Sequence, residues 1–147
     1  IIKRVSGGLA MAEKNGLPGI IKEFIVSHHG TTSTGYFLTQ YLNDGGDPGD
    51  VAEFYYDGVK PSTKEQVILM ICDAVEAASR SLKDYSPQSI SSLVDRIVDG
   101  KAKEDQLSDA DISLREISRL KEVIKAYLSQ MYHSRVSYPK RKEKAGK

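Results

Sequence analysis

The sequence predicts an all-α fold. Apolar residues recur at the helical period over most of the chain, and helix-start signals precede three of the periodic segments. No stretch of about four to eight residues alternates cleanly enough to be a strand. With 147 residues, 39% hydrophobic and 28% charged, the chain has the size of one ordinary domain and enough apolar material for a core. That composition excludes a disordered or collagen-like protein.

The first periodic segment is Ile20, Ile21, Phe24, Ile25 and His28, a short helix closed by Gly30. Tyr36, Phe37 and Tyr41 mark a second helix, closed by Asp44-Gly45-Gly46. Residues 46–60, rich in Gly, Asp and Tyr, form the longest expected loop, pinned to the helices by Phe54, Tyr55 and Tyr56. Pro61-Ser62 opens a third helix, with Ser62 and Glu65 as its capping box, running to about Leu82. Ser86 and Pro87 supply an N-cap and a first-turn proline for the stripe Ile90, Leu93, Val94, Ile97 and Val98. Ser113 and Glu116 cap a longer last helix carrying Ile117, Leu120, Ile124, Tyr127, Leu128 and Met131. There is no internal repeat, low-complexity tract or linker.

The longest apolar run, Val67 to Cys72, is far short of the roughly 20 residues that a membrane-spanning helix needs, and no signal-peptide pattern opens the chain. Cys72 is the only cysteine, so an internal disulfide and a cysteine zinc cage are both excluded, and a reducing compartment is the natural expectation. The net charge of +1 does not call for a nucleic-acid duplex. Residues 140–147 carry five positive charges and one negative, a short basic tail read as a solvated terminus.

Two features carry chemistry. His28 and His29 are adjacent at a helix end. Neighbouring helix residues project about 100° apart, so the two rings suit two ions, or one ligand and one supporting group, better than a single ion. Alternatively, the pair simply faces the helix C-terminal dipole. The second feature is Asp73, which follows the apolar run directly, with Glu76 and Arg80 on the same side of the helix. A carboxylate on an apolar face is costly unless it is paired or holds a metal. Asp73 is therefore either a hard oxygen ligand in a His/Asp site suited to Mn, Fe or Zn, or part of an Asp73/Glu76–Arg80 ion-pair cluster.

The run His28-His29-Gly30-Thr31-Thr32, followed by Tyr36-Phe37, resembles the His-His-Gly-Thr segment of HD-domain phosphohydrolases. More closely, it resembles the cytoplasmic HD domain of the seven-transmembrane HD family, whose characterised members hydrolyse cyclic di-AMP. Leu17-Pro18, Lys60 to Glu65, Asp73 to Leu82, Leu93 to Ile97 and Tyr132 to Pro139 match that family's pattern in the same order. The resemblance implies an HD-domain-like bundle of about five to six helices, with residues 1–139 as the C-terminal part of the domain and 140–147 as a tail. It implies a metal-dependent phosphodiesterase of bacterial type acting on a cyclic dinucleotide, with two divalent transition metals in the complete domain. His28, His29 and Asp73 would be metal ligands, and Glu76, Arg80 and Thr31 would support them or face substrate. The parent would be membrane-anchored with this part on the cytoplasmic face, and homo-oligomerisation stays open.

Two positions depart from the family pattern. No His-Asp dipeptide occurs in this chain, and Arg4 stands where the family carries a further histidine. Arginine stays protonated and cannot ligate a cation. The chain thus holds three expected ligands of a larger set, and little turnover is expected from it alone. The second reading is a degenerate HD domain in which Arg4 holds a phosphate or partner without catalysis, and the third is a purely structural helical domain.

Overall fold

The computed structural model describes residues 3–133. These form six α-helices and one 3-10 helix: α1 Lys3–Lys14, α2 Gly19–Ser27, α3 Gly35–Asn43, the 3-10 helix Pro48–Phe54, α4 Lys64–Ser79, α5 Pro87–Lys103 and α6 Leu114–His133. The basic tail 140–147 and the closing motif beyond His133 lie outside the described residues. Among the described residues there is no strand, only an isolated antiparallel bridge between Ser33 and Tyr55. Nor is any helix long and apolar enough to cross a membrane.

The all-α expectation holds, with slightly more helices than the five to six expected. The additions are α1, which the periodicity reading passed over, and the 3-10 helix inside the expected loop 46–60. Gly7-Gly8 lowers helix propensity in α1 by roughly 1 kcal/mol per glycine. Tertiary contact compensates: a Cβ on Gly8 would stand 3.2 Å from Ile25 Cγ2, so the bare backbone lets α1 lie close against α2. Val5 and Ala12 are buried on that side.

The main core is a three-helix sandwich. Val67, Ile71 and Val75 of α4 meet Ile90, Val94 and Val98 of α5, and Ile124 and Leu128 of α6 close it. The expected stripes of α5 and α6 are therefore core faces, except that Tyr127 of the α6 stripe is 66% exposed. Lys121 and Lys125 of α6 clamp the outer edge by pairing with Asp99 at 2.7 Å and Asp95 at 3.0 Å. The caps of α5 and α6 form as expected. Ser86 Oγ accepts from the Ser89 N–H, while Ser113 and Glu116 exchange side-chain and backbone bonds at 3.1 and 2.8 Å.

The start and end of α4 differ from expectation. Its N-cap is Thr63, whose Oγ1 accepts from the Gln66 N–H at 3.2 Å, and the helix stops at Ser79. Buried Gln66 reaches back to accept from the Ser62 N–H at 2.8 Å. That bond gives the buried Gln66 Oε1 a donor and, with the Thr63 cap, takes the place of the expected Ser62–Glu65 box.

Candidate active site

Helix α2 runs out at Ser27, and the chain turns sharply through His28, His29 and Gly30. Gly30 adopts φ +56° and is buried, so the turn takes the left-handed conformation that glycine tolerates best. The segment following the 3-10 helix lies alongside the turn. Thr34 N–H donates to the Phe54 carbonyl at 2.7 Å, Tyr56 N–H to Thr32 at 2.9 Å and Val59 N–H to Val26 at 3.0 Å. These bonds bring the Tyr56 ring onto His29, stacked at 4.3 Å with an interplanar angle of 22°. The expectation that the loop aromatics pin it to the helices is met by Tyr56 and by Phe54, which packs on Tyr41 at 4.8 Å.

The turn is fixed from its other side by Gln106. Its Oε1 accepts from the Thr31 N–H at 3.0 Å, and its Nε2 donates to Thr31 Oγ1 and to the Glu104 carbonyl, each at 2.9 Å. Thr31 is therefore a structural anchor, and it does not line the cleft described next.

His28, His29, Tyr56, Asp73 and Lys101 line one cleft of about 500 Å³, together with the segment Thr32 to Phe37. Ala74, Ala77 and Ala78 keep its α4 wall low. Tyr36 and Phe37 meet edge to face at 5.3 Å, with Tyr36 75% exposed.

The two histidine rings lie 4.0 Å apart, tilted by 38°, at the end of α2. His28 Nδ1 stands 2.7 Å from the Ile25 carbonyl. A carbonyl can only accept, so Nδ1 carries a proton and Nε2 is the ring nitrogen left for a ligand. His29 Nδ1 faces Asp73 Oδ2 at 3.6 Å, beyond hydrogen-bond reach. Burial lowers the His29 pKa below the ordinary imidazole value, helped by the nearby charges of His28, Lys101 and Arg4 and opposed by Asp73. This favours the unprotonated His29 ring. Burial also pushes the Lys101 amine down, with Glu104 and Asp73 pulling the other way.

Asp73 follows the apolar run of α4 yet is exposed. It does face the histidines, but at the rim, with its side chain 46% exposed. Glu76 and Arg80 do not line this cleft. They form a two-point ion pair, Arg80 Nε and Nη2 donating at 2.9 and 2.7 Å, on the exposed flank of α4. Arg4 is exposed on α1, within electrostatic reach of His29 and Tyr56.

The donor types fit a transition metal, since two imidazoles and a carboxylate are ligands such ions accept. The number does not. Among the described residues no group of three or more His, Cys, Asp or Glu side chains is placed to hold a metal ion. The binuclear centre implied by the resemblance is not contained in these residues.

No protein-family model matches the chain. It is 32% identical over 143 residues to the cyclic-di-AMP phosphodiesterase PgpH of Listeria monocytogenes and 32% identical over 144 residues to PgpH of Bacillus subtilis. These matches cover 97% and 98% of this chain. An uncharacterized Synechocystis protein, slr0104, is 35% identical over 144 residues, covering 95% of this chain. Two crystal structures of the Listeria PgpH HD domain superpose with TM-scores of 0.82 and 0.84 at 30% and 32% identity. The second of them holds cyclic di-AMP. The chain is homologous to the PgpH HD domain. The superpositions cover 90% and 93% of this chain and 61% and 64% of the solved HD-domain chains. Of the curated relatives the chain spans only about a fifth, 18% to 20% of their length.

Three residues that shape the site were missed from sequence: Tyr56, Lys101 and Gln106. Tyr56 was noted only as a loop pin. Lys101, at the end of α5, carries no local signal that separates it from the exposed Lys103. Gln106 lies past the end of α5, and its burial follows only from the way that loop folds under the histidine turn.

Proposed function

We propose that this chain is the C-terminal part of the HD domain of a metal-dependent phosphodiesterase that opens a cyclic dinucleotide, cyclic di-AMP to linear pApA. The observation that carries this reading is the facing pair His29 and Asp73, 3.6 Å apart across a cleft that His28 also lines, in a homologue of the PgpH HD domain. His28, His29 and Asp73 would serve as part of the ligand set for divalent metals, Mn or Fe with Zn also tolerated, completed by residues outside this chain. When bound, such metals polarise a phosphodiester and activate water.

The chain's own residues prepare that site. The Ile25 carbonyl fixes the His28 tautomer so that Nε2 is the available atom. Stacking on Tyr56 holds the His29 ring, and burial favours its unprotonated form. Gln106 locks the turn that carries both rings. The parent protein is proposed to be membrane-anchored with this domain on the cytoplasmic face.

Arg4 favours a second reading, an HD domain that binds a nucleotide without cutting it. Its guanidinium lies within electrostatic reach of His29, and a fixed positive charge there suits a phosphate better than a cation. The two readings separate in one assay. The domain, extended by the residues encoded upstream of Ile1, is incubated with cyclic di-AMP and Mn or Fe, and pApA is quantified. The enzyme reading expects metal-dependent pApA from the extended domain and little from the 147-residue chain. Tight binding without cleavage favours the binder. A parent that binds no metal and leaves cyclic di-AMP uncut overturns the enzyme reading.

A further inference from the structure

Lys101 is the cation in the cleft that the proposed function leaves unused. A lysine in the last turn of a helix ordinarily points to solvent and complements the helix dipole. Lys103, in the same turn of α5, is exposed. Lys101 instead is half-buried and lines the cleft with His28, His29 and Asp73. Ordering and desolvating a lysine amine is costly unless a partner offsets the loss. Other lysines with buried stems or nearby carboxylates find one: Lys60 pairs with Asp105, Lys64 with Glu116, Lys121 with Asp99 and Lys125 with Asp95. The Lys101 amine makes no hydrogen bond or ion pair among the described residues, although Asp73 and Glu104 lie within its electrostatic reach.

The charges around the cleft fix what a free cation there can attract. Among the described residues Asp73 is its one carboxylate, and Lys101 lies in the same lining. Arg4 adds a second positive field from α1. The fixed charges therefore balance to the positive, and an ammonium in a partly dehydrated wall is complementary to an anion. Its three donors can satisfy nonbridging phosphate oxygens, and charge-assisted bonds of this kind are roughly twice as strong as neutral ones.

We propose that Lys101 is a phosphate-binding residue of this cleft, holding a nonbridging oxygen of the cyclic dinucleotide against the wall formed by His29 and Asp73. The proposal rests on the cyclic-dinucleotide reading for its ligand, and on the cleft geometry for its residue. Lys101 acts as a positioning residue: it sets where the phosphate sits relative to the histidine turn.

The test is an NMR titration of the 147-residue chain with cyclic di-AMP and, separately, with inorganic phosphate, repeated for Lys101→Met and Lys101→Arg. Methionine keeps the apolar stem and removes the charge. Lys101→Met should weaken both ligands about tenfold or more, the loss expected for one charged hydrogen bond. Lys101→Arg should restore most of the affinity, and the thermal midpoint of Lys101→Met should not fall. A purely structural role would lower that midpoint and gain no rescue from arginine. Cyclic di-AMP bound equally well by wild type and Lys101→Met overturns the assignment while leaving the cyclic-dinucleotide reading intact. Phosphate bound by wild type, lost in Lys101→Met, and cyclic di-AMP bound by neither, upholds Lys101 and overturns the dinucleotide. A wild-type chain that binds neither probe overturns the assignment.

Discussion

The amide of Gln106 grips Thr31 at both ends, taking its N–H at 3.0 Å and giving a hydrogen to its hydroxyl at 2.9 Å, across 75 positions of sequence. Gln106 is only 2% exposed, and every hydrogen-bonding atom of its side chain is used. The histidine turn is thus nailed to the loop beyond α5, and through it to the helix that carries Lys101. The clamp fixes the turn that carries the histidines beyond the end of α2.

Gln106→Ala therefore should destabilise the chain by about 2–4 kcal/mol, from a lost buried side chain and a Thr31 N–H left without its acceptor. Thr31→Val removes one hydroxyl of the same pair and should cost about 1 kcal/mol. Urea denaturation followed by far-UV circular dichroism measures both. A Gln106→Ala loss no larger than that of an exposed substitution would show that the clamp does not hold the turn.

Two glycines should respond with opposite signs. Gly30 has φ +56°, and a Cβ there would run into Gln106 Oε1 and stand 2.7 Å from Met70 Cε. Gly30→Ala should cost more than about 1 kcal/mol, from backbone strain and from the displaced clamp. Gly7 sits in helix α1 with nothing within 4 Å of the position a Cβ would take. Gly7→Ala should raise stability by about 0.5–1 kcal/mol. Thermal melts of the two variants side by side test the contrast.

Asp73 has an exposed side chain on a well-packed helix, so Asp73→Ala should leave stability within about 0.5 kcal/mol. In the extended domain it should abolish metal-dependent cleavage of cyclic di-AMP. Glu76→Gln breaks an exposed ion pair worth about 0–1 kcal/mol and should leave the cleavage rate unchanged. Equal loss of activity in both variants would mean that the Glu76–Arg80 pair reaches substrate.

The acid limb of stability should report Glu116. Its side-chain bond to Lys64 and its bond from the Ser113 N–H lower its pKa to about 2, from the ordinary 4.5. A carboxyl whose folded pKa is depressed stabilises the fold above its unfolded pKa. That contribution is lost as pH falls from about 4.5 through about 2. Glu116→Gln should consequently be less stable than wild type at pH 7 and match it near pH 2. Urea midpoints at a series of pH values check this, and parallel curves across the whole range would refute it.

The sequence by itself determined the helical class, the stripes and caps of α5 and α6, and the turn after the histidines. Each of these rests on residues within a turn or two of one another: Ser86 with Ser89, Ser113 with Glu116, and Gly30 closing α2. The ordered motifs also pointed to the right homologues. What the tertiary structure decided was convergence. His29 meets Asp73, Gln106 meets Thr31, and Lys101 turns into the cleft only because α2 and α5 both pack against α4. The same tertiary contacts moved the α4 cap to Thr63, where buried Gln66 needed a donor, and kept α1 helical through its glycines by pressing Gly8 on Ile25. Local periodicity fixes which face of a helix is apolar. Which distant side chains that face brings together is set by packing, and packing is not written in the spacing of neighbours.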